Sequence, residues 1–256
     1  MFGNIGSGRM QTPPATLNLI IINVLVWAVA FIFRDFGTNT LVPKLGLHLF
    51  GAYDFNPVQI FTYMFVHSTD SIWHLAFNMF SLWMFGRILE QVWGTKRFLF
   101  YYMVCGVGAA LIQEGVWALT WEHDYIAGIA KLNGLTYDSM KAVVDKAMAA
   151  GDPEFLNAIA QFKGMLITIG ASGAIFGLLL GFAFVFPNMP LYLFFIPVPI
   201  KAKYMMVGYA VLEFFFGVSG RMDSVAHFAH LGGMIFGLLL LLYWKKKGTL
   251  NGQRFY

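Results

Sequence analysis

The chain has 256 residues, of which 58% are hydrophobic, 18% aromatic and 12% charged, and its formal net charge is +4. Soluble domains carry about a quarter charged residues, so this composition excludes an ordinary soluble domain and indicates a membrane protein. The lysines and arginines are spread between apolar runs instead of forming a basic arm, so we expect no nucleic-acid partner.

The first apolar run covers Thr16 to Phe33, which is long enough to cross roughly 30 Å of hydrocarbon. Residues 1–15 before it are polar and glycine-rich and lack the features of a cleaved signal peptide, so we expect a short tail and a retained first span. From residue 34 to about 72, prolines, glycines and Asp54 interrupt aromatic pieces. This pattern predicts a structured first loop that lies in the membrane interface.

Five further apolar runs predict spans two to six, at about 73–89, 98–119, 165–186, 204–218 and 225–244. Between the third and fourth, residues 120–164 carry frequent charges on short amphipathic stretches, which predicts an aqueous helical insertion. These segments together predict an all-α integral membrane protein. Its six-span bundle would form one domain over residues 16–244, followed by a basic tail at 245–256.

The distribution of charge sets the expected orientation. The short connections after spans two and four and the C-terminal tail hold most of the basic residues, so the positive-inside bias places both termini in the cytoplasm. Spans two, four and six then run inward from the outer face. Polar residues near their beginnings share one layer, which for Ser172 and His230 is roughly 10 Å deep. The four polar residues of this layer are His74, Asn78, Ser172 and His230.

A serine hydroxyl becomes an effective nucleophile when a neighbouring base takes its proton, and His230 lies at the matching depth for Ser172. Small-residue ridges let two helices approach closely. One ridge in span four includes Gly173, and one in span six contains Gly233 and Gly237. The spacing therefore predicts that the imidazole reaches the hydroxyl.

A tetrahedral oxyanion needs hydrogen-bond donors aimed at it. His74 and Asn78, one helical turn apart, are candidates together with the backbone N–H of Ser172. Glu213 belongs to an oppositely running span, and we expect no carboxylate near enough to orient the histidine. We therefore expect a serine–histidine dyad without a third acid, and both a structural and a functional role stay open for Glu213.

Three stretches carry a resemblance to a known family. Gly170-Ala171-Ser172-Gly173, Ala226-His227-Phe228-Ala229-His230-Leu231-Gly232-Gly233 with the following Gly237, and His74-Leu75-Ala76-Phe77-Asn78 resemble the signature motifs of the rhomboid intramembrane serine proteases. The resemblance covers residues 16 to about 245. It implies hydrolysis of a peptide bond in or beside a transmembrane helix of a substrate protein, within the lipid bilayer, with no cofactor and no metal.

The resemblance also implies roles for single residues. Ser172 would be the nucleophile, His230 the general base and then the acid, and His74 and Asn78 the oxyanion side chains. Phe176 matches an aromatic residue that stacks on the catalytic imidazole. Supporting or structural positions by the same match are Gly170, Gly173, Gly233, Gly237, His67, Glu90, Gly94 and Arg97.

Two features depart from the family pattern. Many relatives carry Trp-Arg in the first loop, where this chain has Asn56-Pro57-Val58-Gln59, so the contacts of that arginine do not transfer. The insertion at 120–164 is longer than in the minimal bacterial form, and we expect it to influence substrate access.

Two other classes of function are weighed against the protease. A rhomboid-like protein that binds transmembrane helices without cutting them usually lacks the serine or the histidine, and both are present here. A small transporter would show internal repeats or a route of acidic residues, and we find neither. The absence of a targeting segment favours a bacterial plasma membrane.

Overall fold

The computed structural model describes residues 11–34, 41–192, 198–219 and 226–250. Within these ranges the chain forms eleven α-helices and two short pairs of antiparallel strands. Five stretches lie outside the described residues, namely 1–10 of the N-terminal tail, 35–40 of the first loop, 193–197 between the predicted spans four and five, 220–225 at the start of the predicted span six, and 251–256 of the basic tail.

In chain order, the helices are α1 (Pro14–Ile32), α2 (Leu41–Leu45), α3 (Gln59–Thr62), α4 (Ile72–Ser81), α5 (Arg87–Trp93), α6 (Thr95–Leu132), α7 (Tyr137–Ala150), α8 (Pro153–Met165), α9 (Ser172–Val185), α10 (Ala202–Ser219) and α11 (His227–Lys246). Strand β1 (Leu47–His48) pairs with β2 (Ile167–Thr168), and β3 (Pro190–Leu191) pairs with β4 (Ile200–Lys201).

Three of the described helices are long and apolar enough to cross a membrane, namely α1, α6 and α11. Helix α9 is apolar but has only 14 residues. The segment predicted as span two is helical from Ile72 to Trp93, because a π-helical turn at Leu82–Gly86 joins α4 to α5. Helix α10 covers the segment predicted as span five. The count of six spans stays a prediction.

The third predicted span continues well beyond Leu119, where the sequence pattern placed its end. Helix α6 runs without interruption to Leu132 and has 38 residues, about 57 Å at the α-helical rise. The charged residues after Thr120 change the environment of the helix but supply no helix breaker, so the backbone continues. The insertion therefore begins as an extension of α6, followed by α7 and α8.

The insertion has a small hydrophobic core of its own, separate from the main core. Its helices α7 and α8 begin at side-chain caps: Thr136 accepts a hydrogen bond from the backbone N–H of Ser139, and Asp152 accepts from those of Glu154 and Phe155. The buried residues of this core are Tyr125, Ile126, Ala130, Met140, Val144 and Ile159.

The fourth predicted span begins later than expected, at Ser172 instead of Met165. Ile167 and Thr168 form strand β2 against the first loop, as their β-branched side chains favour. Gly170 then adopts a φ of +118°, a conformation that favours glycine and that cannot continue a helix. The turn at Gly170 therefore fixes where α9 starts and leaves Ser172 as its first residue.

The centre of the molecule is the contact of α11 with α6 and α9. A Cβ atom added at Gly233 would overlap the carbonyl oxygen of Gly173, and one at Gly177 would overlap the side chain of Cys105. Glycine at these positions lets the helix backbones touch, as small-residue interfaces in membranes do. Tyr101 donates a hydrogen bond of 2.9 Å from its hydroxyl to the carbonyl of Gly177 and ties α6 to α9.

Glu90 fastens the start of α1 to the end of α5. Its buried carboxylate accepts hydrogen bonds from the backbone N–H groups of Ala15 at 3.0 Å and Thr16 at 2.7 Å. The hydroxyls of Thr16 and Thr95 donate to the same carboxylate, each at 2.8 Å. Free N–H groups at a helix N-terminus favour an anion, so one acid holds three helix ends together.

Candidate active site

Ser172 stands at the N-terminus of α9, where the first loop fixes the preceding turn. The backbone N–H of Gly170 donates a 3.0 Å hydrogen bond to the carbonyl of Tyr63. The side chain of Tyr63 donates in turn to the carbonyl of Gly106 on α6 at 2.7 Å. The serine is therefore held at the meeting point of three segments, with the unpaired N–H groups of the first turn of α9 beside it.

His230 lies in the first turn of α11, and its Nε2 is 2.8 Å from Oγ of Ser172. The ring of Phe176 stacks on the imidazole with a centroid distance of 4.2 Å and an angle of 11°. Phe176 is one helical turn after Ser172, so α9 supplies both the hydroxyl and the surface that orients the imidazole. The structure therefore brings together Ser172 and His230 of the predicted layer and places Phe176 against the imidazole.

His74 and Asn78 both lie on α4, but only His74 faces the serine. Nδ1 of His74 accepts a long hydrogen bond of 3.4 Å from the backbone N–H of Ser68, which assigns the proton to Nε2. A Cβ atom at Gly170 would lie 2.9 Å from that Nε2, so glycine is also needed there for space. The amide nitrogen of Asn78 donates to the carbonyl of His74 at 2.7 Å and so points back along its own helix.

A cavity of about 650 Å³ opens in front of the serine. At roughly 30 Å³ for each water molecule in the liquid, it has room for a substrate segment and for water. Strand β2 and the end of α8 form one wall, so the C-terminal end of the insertion borders the site. Its lining residues are Ser68, Ser71, His74, Gln113, Trp117, Met165, Leu166, Ile167, Thr168, Ile169, Ser172, Ala226 and His230.

Gln113, Ser68 and Ser71 also line this cavity, and the sequence predictions do not include them. Gln113 is buried in the predicted third span, and a lone amide in an apolar run is a signal that was available. The two serines stand in the first loop, where no periodicity indicates which way a side chain points. Nothing in the local sequence could have placed them.

His67 lies in the loop before α4, and its ring packs edge-on against that of His74 with a centroid distance of 5.1 Å. Burial, and after it the neighbouring His74, lower the pKa of His67 to about 3. The imidazole of His67 is therefore neutral at neutral pH and supports the turn before α9 without adding charge. Its Nε2 faces the backbone N–H of Ala171 at 3.5 Å.

The expectation that no carboxylate reaches His230 is wrong. Oε2 of Glu213 lies 3.0 Å from Nδ1 of His230 and 2.7 Å from Nδ1 of His227. Glu213 stands six residues before the end of α10 and His230 three residues after the start of α11. At 1.5 Å per residue this difference in depth is about 5 Å, which a glutamate side chain covers. Counting residues from the connection between the two helices shows that the two depths are compatible, but not that the side chains face each other.

Glu213, His227 and His230 are also the one described trio of metal-ligand side chains whose donor atoms all lie within 4.8 Å of one another. Two ligands of a tetrahedral zinc ion lie about 3.3 Å apart, given bonds of roughly 2.0–2.1 Å. The carboxylate oxygen stands at hydrogen-bonding distance from both nitrogens, closer than shared coordination requires. The distances therefore fit a carboxylate that is hydrogen-bonded to imidazole nitrogens better than they fit a zinc site.

Fold and site together define a class: a helical membrane protein in which a serine and a histidine from two tightly packed helices share a polar cavity. The family model described as "Rhomboid domain" matches residues 55–247, a stretch that contains every residue of that cavity. The chain belongs to the rhomboid family.

Two curated relatives are similar to the chain. "Rhomboid protein 1, mitochondrial" of Saccharomyces cerevisiae is 28% identical over 187 residues, which is 73% of this chain and 42% of that protein. "Rhomboid protease AarA" of Providencia stuartii is 25% identical over 243 residues, 88% of this chain and 70% of that protein. The chain thus spans less than half the length of the yeast relative.

Proposed function

We propose that the chain is an intramembrane serine endopeptidase that hydrolyses peptide bonds in or next to transmembrane segments of other membrane proteins. The observation that carries this proposal is the 2.8 Å contact between Oγ of Ser172 and Nε2 of His230, in a cavity of a rhomboid-family chain. The name of the Providencia relative as a rhomboid protease supports it.

In the proposed reaction, Ser172 attacks the scissile carbonyl carbon while its proton passes to Nε2 of His230. The tetrahedral intermediate then collapses, the C–N bond breaks, and His230 returns that proton to the leaving amine. Water attacks the acyl-enzyme ester with His230 again as the base, and the acid product leaves as the serine regains its proton. The cavity supplies the water that the second half of the reaction consumes.

The oxyanion of each tetrahedral intermediate needs donors in place before it forms. The backbone N–H of Ser172, at the start of α9, and Nε2–H of His74 are the two donors that the geometry favours. One amide hydrogen of Asn78 is engaged by its own helix, so we assign this residue a secondary role that requires its side chain to turn.

The proposal includes a membrane arrangement with six spans. They are α1, the joined α4 and α5, α6, α9, α10 and α11. The positive-inside bias orients both termini toward the cytoplasm and Ser172 toward the outer half of a bacterial plasma membrane. The substrate partner is then a transmembrane protein that enters from the bilayer.

The test is cleavage of a single-span substrate protein by purified chain in detergent, with labelling by a fluorophosphonate probe. Ser172→Ala and His230→Ala should each lower the cleavage rate at least about 10³-fold, because serine and histidine act as one unit. Ser172→Ala should also abolish labelling. Ser219→Ala and His123→Ala are matched controls, since both residues are exposed and neither lines the cavity.

Two outcomes would contradict the proposal. Cleavage that persists in Ser172→Ala would assign it to a contaminant or to another residue. A wild-type protein that folds and binds a transmembrane helix, but neither cuts nor labels, would favour the catalytically silent helix-binding relative.

A further inference from the structure

Glu213 stands apart from the residues that the proposed reaction uses, yet it contacts the proposed base directly. The carboxylate is largely buried, with 13% of its side chain exposed, and the side chains of His227 and His230 are 7% and 8% exposed. Burying an acid within a helical bundle is costly, so its partners have to compensate for it. Both partners are imidazole Nδ1 atoms, at 2.7 and 3.0 Å from the same oxygen.

The two contacts differ in geometry. The bond to His227 meets the angles of a hydrogen bond, whereas Nδ1 of His230 lies near the oxygen without being aligned to it. Hydrogen bonds in a resting catalytic site are often poorly aligned and tighten in the transition state. His230 gains a positive charge when it takes the serine proton, and that charge would draw Nδ1–H onto the carboxylate.

His227 fixes the carboxylate from the other side. It lies in the same turn of α11 as His230, three residues earlier, so one helix presents both Nδ1 atoms to one residue of α10. The ring of Phe216 packs against His227 with a centroid distance of 5.8 Å and further limits its movement. Glu213 is therefore held before the reaction begins.

We propose that Glu213 is a positioning residue that holds the His230 imidazole in its working tautomer and stabilises its protonated form, and that His227 keeps Glu213 in place. This inference rests on the proposed protease function and deepens it. The chain would then work with Ser172, His230 and Glu213 in line, as three-membered serine hydrolase sites do.

The charged and titratable groups that face His230 come from four elements. Glu213 belongs to α10, His227 to α11, His74 to α4 and Ser172 to α9, while α6 contributes the uncharged amide of Gln113 to the same cavity. Glu213 is the acid among these described groups, so its replacement by glutamine removes the negative charge that lies against His230.

The decisive variant is Glu213→Gln, which keeps the shape and one hydrogen-bond acceptor but removes the charge. We expect kcat to fall between about tenfold and the roughly 10⁴-fold seen when a serine protease loses its orienting aspartate. KM should stay within about twofold, because Glu213 does not line the cavity. The acid limb of the rate profile should move to lower pH, since a histidine without its anion protonates less readily.

Glu114→Gln is the matched control. Glu114 is another partly buried acid, on α6, and it accepts a hydrogen bond from the backbone N–H of Phe50 and does not line the cavity. Its replacement should leave kcat and the pH profile unchanged. His227→Gln should give a kcat loss smaller than that of Glu213→Gln, because the carboxylate then keeps His230 as a partner.

A Glu213→Gln enzyme with wild-type kcat and an unmoved acid limb would overturn the inference while leaving the proposed function intact. A wild-type chain that neither cleaves nor labels would overturn the proposed function itself. If Glu213→Gln does not fold, nuclear magnetic resonance of wild-type protein labelled with ¹⁵N-histidine decides. We expect a low-field proton on Nδ1 of His230, assigned by its loss in His230→Ala, and its absence would overturn the inference.

Discussion

Two regions of this chain pack helices together with different residues. Where α9 meets α11, the carbonyl of Gly173 fits against Gly233 so closely that no side chain fits between them. In the insertion, by contrast, helices are held apart by larger side chains such as Tyr125 and Met140, and their ends are closed by polar caps. At the contact between α9 and α11, glycines allow the two backbones to touch. In the insertion, side-chain packing and helix caps hold amphipathic helices in their orientations.

The glycines show the same difference at single positions. Gly128 and Gly151 of the insertion have open space where a Cβ atom would stand, whereas Gly173, Gly177 and Gly233 of the bundle have backbone or side-chain atoms there. Close backbone contact between α9 and α11 is what brings the first turns of the two helices, and with them Ser172 and His230, within hydrogen-bonding distance. The glycines at the contact between α9 and α11 are therefore part of what forms the site, whereas Gly128 and Gly151 of the insertion make no such contact.

The largest effect on stability should come from adding a side chain where α9 and α11 touch. Gly233→Ala drives a methyl group into the carbonyl of Gly173, and a backbone atom cannot move aside as a flexible side chain does. We expect the free energy of unfolding to fall by about 3 kcal/mol and cleavage to fall with it, since Gly173 follows the serine. Thermal unfolding in detergent, followed by circular dichroism, measures the first effect and the substrate assay the second.

Gly115→Ala is the control for this substitution, because Gly115 lies on α6 with open space around its Cα. If Gly233→Ala has the same stability and cleavage rate as Gly115→Ala, then the contact between α9 and α11 can accommodate a side chain. That result would contradict the difference between the bundle and the insertion.

A smaller effect is expected at the start of α8. Asp152→Ala removes the side chain that accepts hydrogen bonds from Glu154 and Phe155. The cap is worth about 1 kcal/mol, and we expect the loss to appear as faster hydrogen exchange confined to residues 133–165, with cleavage unchanged. Asp152→Asn, which keeps an acceptor, should behave as wild type. If Asp152→Ala cleaves more slowly and Asp152→Asn does not, then the stability of the insertion influences the wall of the cavity.

The smallest effect should have the opposite sign to that at Gly233. Gly128→Ala places a methyl group on an exposed helical position of α6 with open space around it. Alanine is about 0.5 kcal/mol more favourable than glycine inside a helix, so the protein should be slightly stabilised. Thermal unfolding should show a small rise in the midpoint, and a fall would show that the end of α6 packs more tightly than its surroundings indicate.

The motifs around Ser172 and His230 could be recognised in the sequence because the residues of each motif are close neighbours along the chain. Ser172 stands among glycines, and Phe176 follows it at one helical turn, so helix geometry alone predicts that they share a face. The start of α9 could not be read this way, because the strand at Ile167–Thr168 forms only with β1 of the first loop beside it. The end of α6 could have been read better, because the sequence after Leu119 becomes charged but contains no residue that breaks a helix.

The amino-acid sequence was enough to predict that the chain enters a membrane, which helices carry the serine and the histidine, and which glycines line their contact. These follow from hydrophobic length and from helical periodicity, which are properties of neighbouring residues. Three features became visible only in the folded chain: Glu213 meets both His227 and His230, His74 faces the cavity while Asn78 points along its own helix, and the C-terminal end of the insertion forms a wall of the cavity. These contacts depend on the relative depth and rotation of separate helices, which no local pattern encodes.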